Sequence, residues 1–258
     1  MNFAMKKVDL NCDFAESFGA YTIGCDEKIL PMISSVNIAC GWHGGDPVIM
    51  RKAVAKAKEN NVAVGAHPGF PDLMGFGRRP MKISPEEAQA YVQYQTGALL
   101  AFCLEAKIEL QHVKPHGALY NMAAKDPTLA RAVCRAVKGV SEDLILLALS
   151  GSEMAKAAEE ENLPFRQEVF ADRGYLPDGT LVPRGSEGAI ITDEELAVKR
   201  VIRMITEGKV TANNGEDIVI KADSVCLHGD NEKAVLFAEK ISAALSEAGI
   251  AVTPLGRM

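Results

Sequence analysis

Five histidines carry most of the chemistry this chain could perform. His43, His67, His116 and His228 fall at or just past the ends of short apolar runs, and His112 lies within one. Imidazole is the side chain suited both to moving a proton near neutral pH and to ligating a metal. Acidic and cationic residues recur at the same points along the chain: Asp13 and Glu16, Lys114, Asp172 with Arg173, and Asp230. Within Lys114-Pro115-His116-Gly117, side chains 114 and 116 share one face of an extended strand. An ammonium at 114 would depress the imidazole's pKa and leave His116 a neutral general base.

The other segments suggest supporting roles. Ala39-Cys40-Gly41-Trp42-His43-Gly44-Gly45-Asp46 is a glycine-rich turn whose amides could meet an anion or a developing oxyanion at a helix start. Trp42, the single tryptophan, reads as a pocket wall or as a core residue, and Cys40 as an inert buried thiol. Gly75-Phe76-Gly77-Arg78-Arg79 carries two guanidiniums suited to a substrate carboxylate. The candidate catalytic groups are therefore His116, Lys114, Asp13, His43, His67, Asp172 and His228, and the candidate substrate contacts are Arg78, Arg79, Glu16 and Trp42. Asp13, His43 and His67 could together hold a divalent metal, although no HExxH helix is present and spacing alone leaves the point open.

For such residues to meet, strands and helices must alternate so that all strand ends face one mouth. Apolar runs at Val8 to Cys12, Val36 to Cys40, Val62 to Ala66, Leu110 to Lys114, Leu144 to Leu149, Phe165 to Phe170, Ser224 to Leu227 and Ile250 to Pro254 read as strands. Several are apolar throughout, as buried parallel strands are. Helices follow them, with start signals at Asp46-Pro47 and two S/T-x-x-E capping boxes, which place helix starts at Pro85 and Asp193. The expected fold is α/β: one β/α barrel spanning residues 1–258, closed or nearly so, with an irregular or seven-stranded closure allowed and an open doubly wound sheet as the alternative. The Gly/Pro-rich stretches at 67–80 and 173–188 read as long functional loops.

Composition excludes other classes. A net charge of -6 without a Lys/Arg run argues against a grip on nucleic acid or anionic lipid. Six cysteines without a CxxC pair fit reduced thiols in a cytoplasmic protein. The first residues contain no signal-type apolar core, and the apolar run Leu144 to Leu149 is far too short to span a bilayer. No phosphate-binding GxxxxGK[ST] or GxGxxG loop is present.

Taken together, Asp9-Leu10-Asn11-Cys12-Asp13-Phe14-Ala15-Glu16, Asn37 to Asp46, His67-Pro68-Gly69-Phe70-Pro71-Asp72, Lys114 to Tyr120, Phe170-Ala171-Asp172-Arg173 and Cys226-Leu227-His228-Gly229-Asp230 resemble the LamB/YcsF family. That family usually carries glycine where this chain has Ala15. The resemblance implies a barrel related to glycoside hydrolases and polysaccharide deacetylases, serving as the A subunit of a prokaryotic 5-oxoprolinase. It further implies partnership with subunits B and C, and cleavage of the lactam of 5-oxo-L-proline to L-glutamate coupled to ATP hydrolysis. Lacking a recognisable ATP loop, the chain would depend on its partners for the ATP site. Two alternatives stay open: a stand-alone metal-dependent deacetylase or glycosidase, and a lactam-binding protein that does no chemistry.

Overall fold

The computed structural model describes residues 6–23, 26–227 and 232–258. Seven parallel strands form a closed barrel: β1 (Lys7–Phe14), β2 (Ser35–Ala39), β3 (Ala63–His67), β4 (Leu110–Val113), β5 (Ile145–Leu149), β6 (Phe165–Phe170) and, after a short antiparallel hairpin of β7 (Lys209–Thr211) and β8 (Asp217–Val219), β9 (Ser224–Leu227). Closure is made by β9, which pairs with β6 on one side and with β1 on the other, Asn11 opposite Cys226. The expected eighth strand is a two-residue piece, β10 (Ala251–Val252), which pairs with the start of β1 and takes no part in closure. The chain then turns through Leu255–Arg257. Fully buried Leu255 packs with Ile145 and Leu147.

Helices surround the barrel: α1 (Asp26–Ile29), α2 (Pro47–Glu59), α3 (Pro85–Ala106), α4 (Gly117–Ala123), α5 (Pro127–Val140), α6 (Glu153–Glu160), α7 (Glu194–Glu207) and α8 (Glu232–Glu247). Both Pro85 and its capping box are as read, with Ser84 and Glu87 bonding each other's backbone N–H. The second box is displaced by one residue. Asp193 itself caps α7, accepting from Leu196 N, because a carboxylate at the N-cap adds charge to hydrogen bonding at the positive end of the helix.

Period-two alternation explains the strands. On β1, Val8, Leu10, Cys12 and Phe14 belong to the apolar layer beneath the helices, whereas Asp9, Asn11 and Asp13 bond to residues of other strands across the interior. The same alternation gives Val36 and Ile38 against Ser35 and Asn37 on β2. The barrel interior is therefore unusually polar, and these groups satisfy one another: Asn11 Nδ2 donates to Glu168 Oε1 (2.9 Å) and Ser224 Oγ (2.7 Å), and Asn37 Nδ2 to Asn11 Oδ1 (2.7 Å). One glycine is essential to this packing. A Cβ on Gly65 would lie 2.1 Å from Nε2 of His112, so only glycine on β3 admits that ring. Among the described residues no helix is long and apolar enough to cross a membrane.

Candidate active site

The carboxyl ends of β1 to β4 bring Asp13, Glu16, His43, His67, Lys114 and His116 to one mouth. His67 ends β3; Lys114 and His116 follow β4; His43 sits in the turn that leads into α2. Nε2 of His67 lies 2.9 Å from Nδ1 of His116 and 3.3 Å from Asp13 Oδ2. Glu16 Oε1 lies 3.3 Å from His43 Nε2 and 3.6 Å from His116 Nδ1. The three histidines are almost fully buried, and the rings of His43 and His116 stack 3.7 Å apart. The loop after β3 seals one side through Gly77, at φ +62°, where a Cβ would collide with His43 and His116.

Nδ1 of His67 meets the Lys114 carbonyl at 2.6 Å, and Nε2 of His116 meets the Phe76 carbonyl at 2.8 Å. Each carbonyl contact needs an N–H, and a neutral imidazole has one. The two inner nitrogens then present lone pairs to each other at 2.9 Å, so a third proton or a metal ion must lie between them. Burial first, then the neighbouring imidazoles, pushes His116 well below the usual histidine range; burial and His67 do the same to His43. A neutral imidazole is the ligand form. Separations of 2.9 to 3.6 Å between donor atoms fit bonds of about 2.1 Å around a tetrahedral ion. Glu16, His43, His67 and His116 thus offer four ligand atoms within 4.8 Å of one another. Both nitrogens of His43 lack a hydrogen bond among the described residues.

This set differs from Asp13, His43 and His67. Asp13 Oδ1 is engaged by Asn37 Nδ2 (2.9 Å) and Lys114 Nζ (3.0 Å), so Asp13 lies at the edge of the cluster while Glu16 and His116 enter it. Lys114 is also not the cause of the low His116 pKa. Its ammonium, 2% exposed, turns into the barrel between Asp13 and Glu168 Oε1 (2.9 Å). Burial opposes charge there, but the two carboxylates more than offset it and hold Lys114 well above the usual lysine range. The imidazole that Lys114 does depress, after burial, is His112, to about 3.

A cavity of about 670 Å³ opens above the cluster, lined by Asp13, Glu16, His67, Lys114 and His116 at its floor. Arg78 lines it too, its guanidinium 4.8 Å above the Phe76 ring. Four expected site residues among those described do not line it: His43, fully buried within the cluster, and Arg79, Trp42 and Asp172. Arg79 pairs with Asp72 and anchors its own loop, Trp42 packs against Tyr91 and Tyr94 of α3 at 4.8 and 5.5 Å, and Asp172 lies outside the cavity wall. The glycine turn offers no open helix terminus, because Asp46 occupies the first amides of α2. His228 and Asp230 lie outside the described residues. Sequence reading missed Glu168, which bridges Lys114, Asn11 and Tyr120 OH (2.8 Å), and the cavity-lining Tyr120 and Phe170. A lone glutamate in a strand otherwise leading to Val169 and Phe170 was the available signal.

Residues 8–258 match the model of the LamB/YcsF family. The chain belongs to the LamB/YcsF family. Among its relatives, the A subunit of 5-oxoprolinase from Clostridium beijerinckii is 58% identical, covering 98% of this chain and all of the relative, and that from Pyrococcus abyssi is 56% identical over 96% and 98%. The crystal structure of a lactam utilization protein from Thermus thermophilus, 48% identical, superposes with a TM-score of 0.90 over 96% of this chain and 99% of that one. A putative cellobiose-phosphate cleavage protein from Enterococcus faecalis shares the fold at 14% identity, with a TM-score of 0.58 over 98% and 99% of the two chains. The LamB/YcsF segments around Asp13, His43, His67 and His116 are those that build the cluster.

Proposed function

We propose that this chain is the A subunit of an ATP-dependent 5-oxoprolinase, opening the lactam of 5-oxo-L-proline to L-glutamate together with subunits B and C in the cytoplasm. The observation that carries the reading is identity of 54–58% to proteins named as 5-oxoprolinase A subunits, over nearly the whole chain. The cavity agrees with it. Its volume is that of a small-molecule site, with a few polar groups converging at the floor and apolar walls from Leu149 and Phe170.

An unstrained five-membered lactam needs carbonyl activation before water can open it. ATP supplies this by phosphorylating the amide oxygen, and that step belongs to the partners, since the chain has no phosphate-binding loop. The activated ring then sits over the His67–His116 pair. A divalent ion held by Glu16, His43, His67 and His116 would polarise the carbonyl or its attacking water. The chain's own contributions are positional and basic. The Phe76 and Lys114 carbonyls fix the tautomers of His116 and His67, so the inner nitrogens of both rings present lone pairs, which such an ion would take up and which otherwise serve as the base. Water gives its proton to that pair, or to Asp13 where an ion occupies it, as its oxygen adds to the activated carbon; the C–N bond breaks with the ring nitrogen taking up a proton, and a second water hydrolyses the resulting acyl phosphate to the carboxylate of glutamate and inorganic phosphate. Lys114 balances the charges of Asp13 and Glu168, keeping Asp13 Oδ2 directed at His67.

His116→Ala in the assembled enzyme should lower turnover at least about a hundredfold while binding of 5-oxoproline, read by calorimetry, persists. Near-normal turnover would remove His116 from the chemistry. Binding to the parent without any effect of the cluster on turnover would favour a pure lactam carrier.

A further inference from the structure

Beyond β6 the chain folds back as an ordered loop over residues 173–190, clasped by Arg173. Its Nε donates to Ala189 O (3.0 Å) and its Nη2 to Val182 O (2.6 Å), so the guanidinium is fixed in direction. Arg200 in turn bonds the Arg173 carbonyl (3.0 Å). Arg173 is 5% exposed, yet it lines the cavity, and among the described residues no carboxylate forms an ion pair with it. Arg184 lines the same wall. Burial and then this second cation depress the Arg173 pKa, with Asp172 offsetting them in part. A buried cation without a directly paired anion is costly, and a like charge beside it adds to the cost. An anion entering the cavity removes both penalties. Phe170, Leu181 and Val182, whose carbonyl holds the guanidinium, give the same cavity an apolar wall.

We infer that Arg173 is the carboxylate seat of the cavity and a specificity-determining residue, with Arg184 reinforcing its field at the entrance. A small cyclic amide bearing one carboxylate would rest that group on Arg173, lay its methylenes along Phe170 and Val182, and turn its ring carbonyl toward the His67–His116 floor. The assignment rests on the lactam reading above. It takes the carboxylate away from Arg79, whose partner is Asp72, and leaves Arg78 to the opposite loop over Phe76.

Calorimetric titration with 5-oxoproline and with 5-oxoprolinamide, which carries a neutral amide in place of the carboxylate, tests it on the parent, Arg173→Gln, Arg173→Lys and Arg78→Gln. The parent should prefer the acid by about 10- to 100-fold, the range of one charge-assisted pair. Arg173→Gln should lose that preference, to within about threefold, without weakening the amide; Arg173→Lys should keep part of it and Arg78→Gln all of it. The lysine variant also carries the test should the glutamine variant fail to fold. Arg173→Gln with an unchanged preference, or with both lactams weakened alike, would overturn the seat and leave only a loop clasp. A parent that binds both lactams equally would overturn the seat alone; one that binds neither would sink the lactam reading and the seat with it.

Discussion

Ala15 adopts φ +62°, a left-handed conformation that costs an L-residue with a Cβ about 1 kcal/mol. Ala15→Gly should therefore raise stability by about 0.5–1 kcal/mol in urea denaturation, although glycine also gains unfolded-state entropy that trims the effect. Lys114 poses the opposite case. Replacement by Met would leave Asp13 and Glu168 facing each other without a counter-ion, and should cost about 3–5 kcal/mol. His112 sets a pH dependence. Its pKa of about 3 in the fold is below that of an unfolded histidine, so the unfolded chain binds a proton that the native ring refuses. The stability is complete above about pH 6.5 and is lost as pH falls from there toward 3, by about 1.4 kcal/mol per pH unit. Asp9, raised to about 6 by burial and held by Ser224, Ser34 and Ser35, works in the other sense below pH 6, because the native carboxyl keeps its proton longer. His43 and His116 shift as His112 does, so denaturation midpoints should fall as pH is lowered from about 7 to about 5. A flat or rising profile would contradict the buried neutral imidazoles. At this scale the sequence revealed the histidines, since strand-end placement in a parallel fold makes them converge. Where a loop side chain points is decided by its neighbours: Asp72 claims Arg79, and Tyr91 with Tyr94 claims Trp42.

The seven barrel strands were legible because most combine a continuous apolar stretch with a flanking turn signal, and β5 is buried at every position. The eighth run, Ile250 to Pro254, has the same apolar content but forms only two ladder pairs, with Lys7 and Val8, before the chain turns beneath the barrel. Its worth lies in Leu255. Leu255→Ala should cost about 2–4 kcal/mol by opening a cavity against Ile145 and Leu147. The β7–β8 hairpin escaped notice because strands of three residues, largely exposed, carry almost no periodicity. Helix caps follow the same logic of competing chemistry. Asp193→Ala should destabilise α7 by about 1 kcal/mol and Thr192→Ala by much less, read from thermal midpoints, because the Asp193 carboxylate holds the Leu196 amide.

At the scale of the molecule, closure of β9 onto β1 is what converts scattered residues into one site. It sets Cys226 3.2 Å from the Lys114 ammonium and Ser224 under Asn11, linking the last barrel strand to the first and fourth. The acidic chain nevertheless lines its cavity with Arg78, Lys114, Lys125, Arg173 and Arg184 against Asp13, Glu16 and Asp126, so the local balance of charge is positive in spite of a net charge of -6. The central claim, that this barrel is the lactam-opening member of a multisubunit enzyme, is tested most directly by measuring glutamate released from 5-oxoproline and ATP. The assay compares this chain alone, subunits B and C alone, and all three together. Glutamate from the complete mixture only is the predicted result; an inactive mixture, or full activity without this chain, would contradict it.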